Sequence, residues 1–169
     1  NPHFTLTLGF LCQAISGWAI SQYDVNLTYF GIAWTGVLQG VGIGLTWVPL
    51  TLIMFSTVRS EYLDDATAVF HMLRNFGSSL FISISVAVVI QSTFINSVEL
   101  GMPLSEFAKV FAMPWAIGDL DINSTEGLGA ATGEIKRQAA MIGYINAFRL
   151  FSIVSLIPIP LIWLARMPK

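Results

Sequence analysis

The sequence predicts an all-α membrane protein with four transmembrane helices. Of its 169 residues, 54% are hydrophobic and only 11% are charged, and the mean hydropathy is +0.70. Soluble domains carry roughly 25% charge, and a core of this size cannot hide so much apolar surface. The charges also cluster. No Lys, Arg, Asp or Glu precedes Asp24, and none lies between Val25 and Val58. Arg74 is the only one from Ala66 to Val98, and Arg149 the only one from Met141 to Ala165. These runs lack the alternation of barrel strands, and an open sheet would leave its backbone unsatisfied in lipid, so the spans are helices.

A helix needs roughly 20 apolar residues to cross the hydrocarbon core. The runs therefore place spans at about 4–21, 29–57, 66–96 and 141–165. The second and third exceed the membrane thickness and must tilt, kink or project. Gln22–Thr28 is a short polar turn. Arg59–Asp65 is short and charged, and Asp64 or Asp65 can cap the third helix. The segment 97–140 is a long acidic loop holding Glu99, Glu106, Asp119, Asp121, Glu126 and Glu134 against Lys109, Lys136 and Arg137. Within it, Pro103 can open a short helix and Ser124–Ala140 can form another. Pro158 and Pro160 are expected to bend the fourth span, and Trp163 suits a membrane interface.

Composition removes several classes. Disorder is excluded by apolar content, and a disulfide scaffold by the single Cys12. A net charge of −2 gives no electrostatic case for nucleic acid. His3 and His71 are the only histidines, which rules out a four-histidine haem pair; no Cys/His cluster suggests zinc, and no cofactor is implied. No catalytic constellation is visible, which argues against an enzyme. The chain starts without Met, and its apolar sequence begins within a few residues, so it is expected to be part of a longer protein. No basic region with a cleavage site marks a secretory signal. Charge does not orient the chain: Arg59, Arg166 and Lys169 on one side balance Lys109, Lys136 and Arg137 on the other.

Two spans carry the chemical information. In the second, Gly36, Gly40 and Gly44 recur every fourth residue, with Gly42 between them. Such spacing lets two helices approach until their backbones touch. Packing within the protein is the plain reading, and a surface for helix sliding during transport is the sharper one. Pro49 is expected to kink this helix. Gln39 is a polar group at mid-span and needs a partner from a neighbouring helix or a watery cavity.

In the third span, about 100° per residue puts His71, Arg74, Asn75, Ser78 and Ser85 on one face, with Ser79 and Ser83 beside it. Leu73, Phe76, Leu80, Ile84 and Val88 fall opposite. Arg74 either snorkels and pairs with Asp64 or Asp65, or faces a cavity or a neighbouring helix. The company of His71, Asn75 and the serines favours the second. No Asp or Glu lies inside any expected span.

The run LQGVGIGLTWVPLT, a short turn, then HMLRNFGSSLFISI resembles the C-terminal part of drug:proton antiporters of the EmrB/QacA type, the fourteen-helix branch of the major facilitator superfamily. The core of the resemblance is the Gly-rich helix ending in Pro49-Leu50-Thr51, followed by Arg74-x-x-Gly77-x-Ser79. Ala139–Arg149, after a long loop, agrees with it. Members often carry Gly where this chain has Phe81, pairing with Gly77.

The resemblance implies that these are the last four helices of the C-terminal bundle of such a transporter. It puts the C-terminus in the cytoplasm of a bacterial inner-membrane protein and segment 97–140 outside. The middle two helices would line the central cavity. The proton-coupling carboxylates would lie in other helices. The implied partners are the lipid bilayer, the remaining helices of the transporter, a small amphipathic substrate and protons, and a membrane-fusion adaptor protein. The function implied is proton-coupled multidrug efflux. An exporter of a siderophore or metabolite on the same fold, and a self-contained four-helix membrane scaffold, are the alternatives.

Overall fold

The computed structural model describes residues 2–56, 58–101 and 125–164. Five helices follow in order: α1 (Pro2–Ile20), α2 (Tyr29–Ser56), α3 (Leu63–Gly101), α4 (Thr125–Leu156) and α5 (Pro158–Leu164), with a 3₁₀ turn at Ser60–Tyr62 leading into α3. The helix expected at Pro103 and the charges Glu106, Lys109, Asp119, Asp121, Arg166 and Lys169 lie outside the described residues.

Three helical stretches are long and apolar enough to cross a bilayer: Tyr29–Ser56, Ser60–Gly101 and Thr125–Leu164. At 1.5 Å per residue α3 is about 58 Å long, nearly twice the hydrocarbon thickness of about 30 Å. α1 is not among the three: it has 19 residues and is interrupted by His3, Thr5, Thr7, Gln13 and Ser16.

The exposure pattern inverts that of a soluble core. Phe76 is 69% exposed and Ile90 64%, whereas the fully buried positions include the small residues Ser16, Thr35 and Ala139. Large apolar side chains turned outward are stable against lipid, and small ones inside let helices approach.

Local chemistry sets the element ends. Asp24 Oδ1 accepts from the backbone N–H of Asn26 at 2.9 Å, turning the chain between α1 and α2. Asp64 and Asp65 fall inside the first turn of α3 rather than at its cap, where they still complement the positive end of the helix. α2 continues through Pro49 as one helix, and the Thr51 hydroxyl donates to the carbonyls of Trp47 and Val48 just before the proline. Of the separate helix expected over Ser124–Ala140, Ser124 lies outside the described residues, and from Thr125 the stretch is the first half of α4, which runs on without interruption. α4 stops at Leu156, and α5 starts at Pro158, a residue suited to a first helical position because it has no N–H to satisfy.

The chain divides into two compact units, Asn1–Ser85 with Ala147–Lys169, and Val86–Asn146. In the first, α1 packs chiefly on α2 and also meets α5. The α1–α2 seam is a backbone contact. A Cβ on Gly42 would lie 2.9 Å from the Gly9 carbonyl oxygen, and one on Gly9 would lie 2.9 Å from that of Gly42. Hydroxyl and amide bonds flank this crossing. Ser16 Oγ donates to Thr35 O at 2.9 Å, and Gln13 Nε2 to Thr46 Oγ1 at 3.1 Å. Gly17 admits Phe151 of α4 in the same way, and Ser152 Oγ donates to Ala14 O at 2.8 Å. At the start of α1, His3 Nδ1 lies 3.0 Å from Ile162 O, and Trp163 Nε1 donates to Thr7 Oγ1 at 3.2 Å.

The second unit repeats the device. A Cβ on Gly143 would lie 2.8 Å from Val89 O, and beside this contact Asn146 Nδ2 donates to Ser92 Oγ at 2.6 Å. Asn96 Nδ2 donates to Ser92 O at 2.7 Å.

Candidate functional site: the aromatic and cationic contact between α2 and α3

Beyond the 3₁₀ turn at Ser60–Tyr62, α3 comes back against α2, and the two helices meet through large side chains. Trp47 and Phe70 have ring centroids 6.1 Å apart, and Phe55 and Phe70 6.3 Å. His71 stands edge-on to Phe70 at 5.5 Å. The guanidinium carbon of Arg74 lies 4.5 Å from the centroid of the Trp47 ring. This is cation–π geometry, with Arg over the best of the aromatic faces. Phe70 is half-buried, whereas Trp47, His71 and Arg74 are exposed on the described surface.

A cation within an apolar stretch costs about 2.5–3.5 kcal/mol on the mild insertion scale. Stacking on Trp47 returns an estimated 0.5–2 kcal/mol of that. Asp65 does not supply the rest. Nine residues separate it from Arg74, which is about 13 Å along the axis and half a turn out of phase. Among the described residues, Arg74 forms no ion pair or hydrogen bond, and the only salt bridge is Arg137 to Glu134.

Of the other residues singled out from sequence, Ser78 Oγ donates to the carbonyl of Asn75 at 3.0 Å within α3. The Asn75 and Gln39 side chains form no hydrogen bond among the described residues, and Gln39 is half-buried. A Cβ added at Gly36, Gly40, Gly44 or Gly77 meets nothing within 4 Å. The described glycine contacts are made by Gly9, Gly17, Gly42 and Gly143 instead. Phe81 packs edge-on against Phe151 at 6.3 Å, so the large side chain at that position has an aromatic partner.

The sequence singles out polar residues, glycines and Pro49, and passes over Trp47, Phe55 and Phe70. The signal was present: on either side of the short connection between α2 and α3, residues equally far from it are brought face to face, and that pairs Trp47 with the Phe70–Arg74 region.

Outside the spans expected from sequence, α4 carries an ion pair about ten residues after its start. Arg137 donates to both carboxylate oxygens of Glu134, each at 2.8 Å. The Arg137 guanidinium, with the Gln138 amide, holds the Glu134 carboxyl down at about 2. No group of three or more His, Cys, Asp or Glu that could hold a metal occurs among the described residues.

Comparison with characterised proteins gives one consistent answer over 96% of the chain. It is 24% identical over 165 residues to the probable multidrug resistance protein EmrY of Escherichia coli K12. It is 21% identical to the fatty acid resistance protein FarB of Neisseria gonorrhoeae, over 164 residues. It is also 21% identical to the multidrug export protein EmrB of Escherichia coli K12, over 165 residues. The chain resembles efflux proteins of the EmrB/QacA type. It spans about a third of the length of these relatives, 32% in each case. No protein-family profile matches the chain, and no solved structure matches it significantly. With its apolar helices and these EmrB/QacA-type relatives, the chain is an integral membrane protein of the bacterial inner membrane.

Proposed function

We propose that this chain is part of a secondary active transporter, a proton-coupled efflux permease for amphipathic compounds. The observation that carries the reading is the match over 96% of the chain to relatives named for multidrug export, multidrug resistance and fatty acid resistance. In this reading α1 is a fourth span, and the chain supplies the last four helices of fourteen. α2 and α3 line the translocation path, with Gln39, His71, Arg74, Asn75 and Ser78 toward it. The stripe Gly36, Gly40, Gly44 and the lone Gly77, where an added Cβ meets nothing within 4 Å among the described residues, pack on helices elsewhere in the transporter. No acid lies between Ala66 and Val98 or between Val25 and Val58, so the proton-coupling carboxylates belong to other helices. A membrane-fusion adaptor is a partner in the same reading.

Topology follows from it: the segment 97–140 faces the periplasm and the 59–65 turn faces the cytoplasm. In a full-length protein with Cys12→Ser, a cysteine replacing Glu126 is expected to react with a membrane-impermeant thiol reagent on the periplasmic side. Labelling only after the inner membrane is breached overturns this topology.

The decisive measurement is efflux by full-length protein in energised, inverted membrane vesicles. A proton gradient is expected to drive accumulation of amphipathic probes, and an ionophore to abolish it. Accumulation equal to that of vesicles without the protein, at confirmed abundance, overturns the transport reading.

A further inference from the structure

The contact between α2 and α3 also points to what kind of compound is bound. We propose that Arg74, backed by Trp47, receives the negatively charged head of an amphipathic anion, such as a carboxylate on an aromatic or hydrocarbon body, with Phe70, Phe55 and His71 taking part of that body. The proposal rests on the transport reading for its biological meaning, but its binding chemistry stands on this geometry.

The Arg74 guanidinium carbon lies over the Trp47 ring, 4.5 Å from its centroid. A guanidinium carries its N–H donors in one planar fork, and that fork matches a carboxylate with two parallel hydrogen bonds. Those donors have no acceptor among the described residues. The charge also lacks a compensating acid nearby: Arg74 is the only ionised residue from Ala66 to Val98, and α2 has none. A cationic amphiphile entering here would meet only like charge. An anionic one would neutralise Arg74 and lay its apolar body against the Trp47–Phe70–Phe55 rings, whose neighbouring centroids are 6.1 and 6.3 Å apart. A phospholipid headgroup offers the same anionic chemistry, so the test separates the two sources.

The experiment is equilibrium binding to purified full-length protein in nanodiscs of neutral phosphatidylcholine. The probes are 1-naphthaleneacetate and its cationic counterpart 1-naphthylmethyltrimethylammonium, with empty nanodiscs as the blank. Wild-type protein is expected to bind the anion. Arg74→Gln should weaken anion binding by about tenfold or more, the loss expected for one charge-assisted contact, and should not weaken cation binding, because it removes a like charge. Arg74→Lys should fall between, since it keeps the charge and loses the fork. Thermal stability of each variant is measured alongside.

No anion binding by wild type, or anion binding unchanged in Arg74→Gln, overturns the proposal. An equal loss of both probes, or a loss that follows lowered thermal stability, overturns it in favour of a structural role. If phosphatidylglycerol in the nanodisc displaces the anion from wild type and not from Arg74→Gln, the site belongs to a lipid headgroup, and the substrate assignment is overturned. Anion binding dependent on Arg74 without gradient-driven accumulation in vesicles leaves the site standing and removes the transport reading.

Discussion

α2 has two neighbours in the first unit and meets them by opposite means. Toward α1 it presents Thr35, Gly42 and Thr46, and the helices close until a Cβ on Gly42 would sit 2.9 Å from a backbone oxygen. Toward α3 it presents Trp47 and Phe55, and the contact is made by ring edges, ring faces and a guanidinium. In lipid the first kind of contact draws on van der Waals packing and on hydrogen bonds that average about 0.6 kcal/mol each. It tolerates no added atoms, because backbone cannot move aside. The second kind is adaptable, because rings can turn and slide by rotamer change, and it presents a charge. The α1–α2 contact is thus the rigid one, and the α2–α3 contact is the adaptable one to which our proposal gives the ligand.

The sharpest way to break this comparison is to fill the seam. Gly42→Leu forces a side chain against Gly9 and Gln13. It is expected to remove most folded protein, at a cost above the 1–3 kcal/mol typical of overpacking. Detergent-solubilised abundance by fluorescence-detected chromatography measures it, and wild-type levels would refute the close seam. Gly40→Leu should do less. Its Cβ meets nothing in this chain, so it is expected to lower transport only through helices elsewhere in the protein. Normal abundance with full efflux would show that the Gly36–Gly44 stripe faces lipid.

Smaller still is Ser16→Ala, which removes the bond to Thr35 O. A loss near 0.6 kcal/mol is expected, visible as a slightly lower unfolding temperature in detergent, with transport unchanged. A drop as large as that of Gly42→Leu would mean that hydrogen bonding, rather than backbone proximity, holds the seam.

The smallest effect belongs to Arg137→Ala, at an exposed ion pair remote from both contacts. Because the Glu134 carboxyl is lowered in the folded protein, whatever the pair contributes is present above its ordinary value of 4.5 and is lost as pH falls toward about 2. Solvent screening keeps that contribution small. The substitution is expected to leave the unfolding temperature unchanged from pH 5 to 8. A clear decrease there would show α4's first turns to be tied into the scaffold.

The membrane class and the all-helical character were legible in composition and charge spacing alone, because partition into lipid sums over whole segments and does not depend on which neighbour each residue meets. Arg74 stood out for the same reason: a cation in an apolar run is conspicuous wherever it points. The choice of seam was not legible. Gly40 and Gly42 are two residues apart and thus about 200° apart around the helix, so a glycine-rich run offers a small face in more than one direction. Thr35 and Thr46 share a face with Gly42, and polar groups of α1 select that face: the Thr46 hydroxyl accepts from Gln13 Nε2, and the Thr35 backbone carbonyl accepts from Ser16 Oγ, so neither α1 side chain is left facing hydrocarbon. Likewise the place of Trp47 under Arg74 came from the register between α2 and α3, which sets distance and phase between the two helices. Sequence determined what each segment must be dissolved in. Only the tertiary structure decided which faces touch, because helix phase is set by the partner and not by the helix itself.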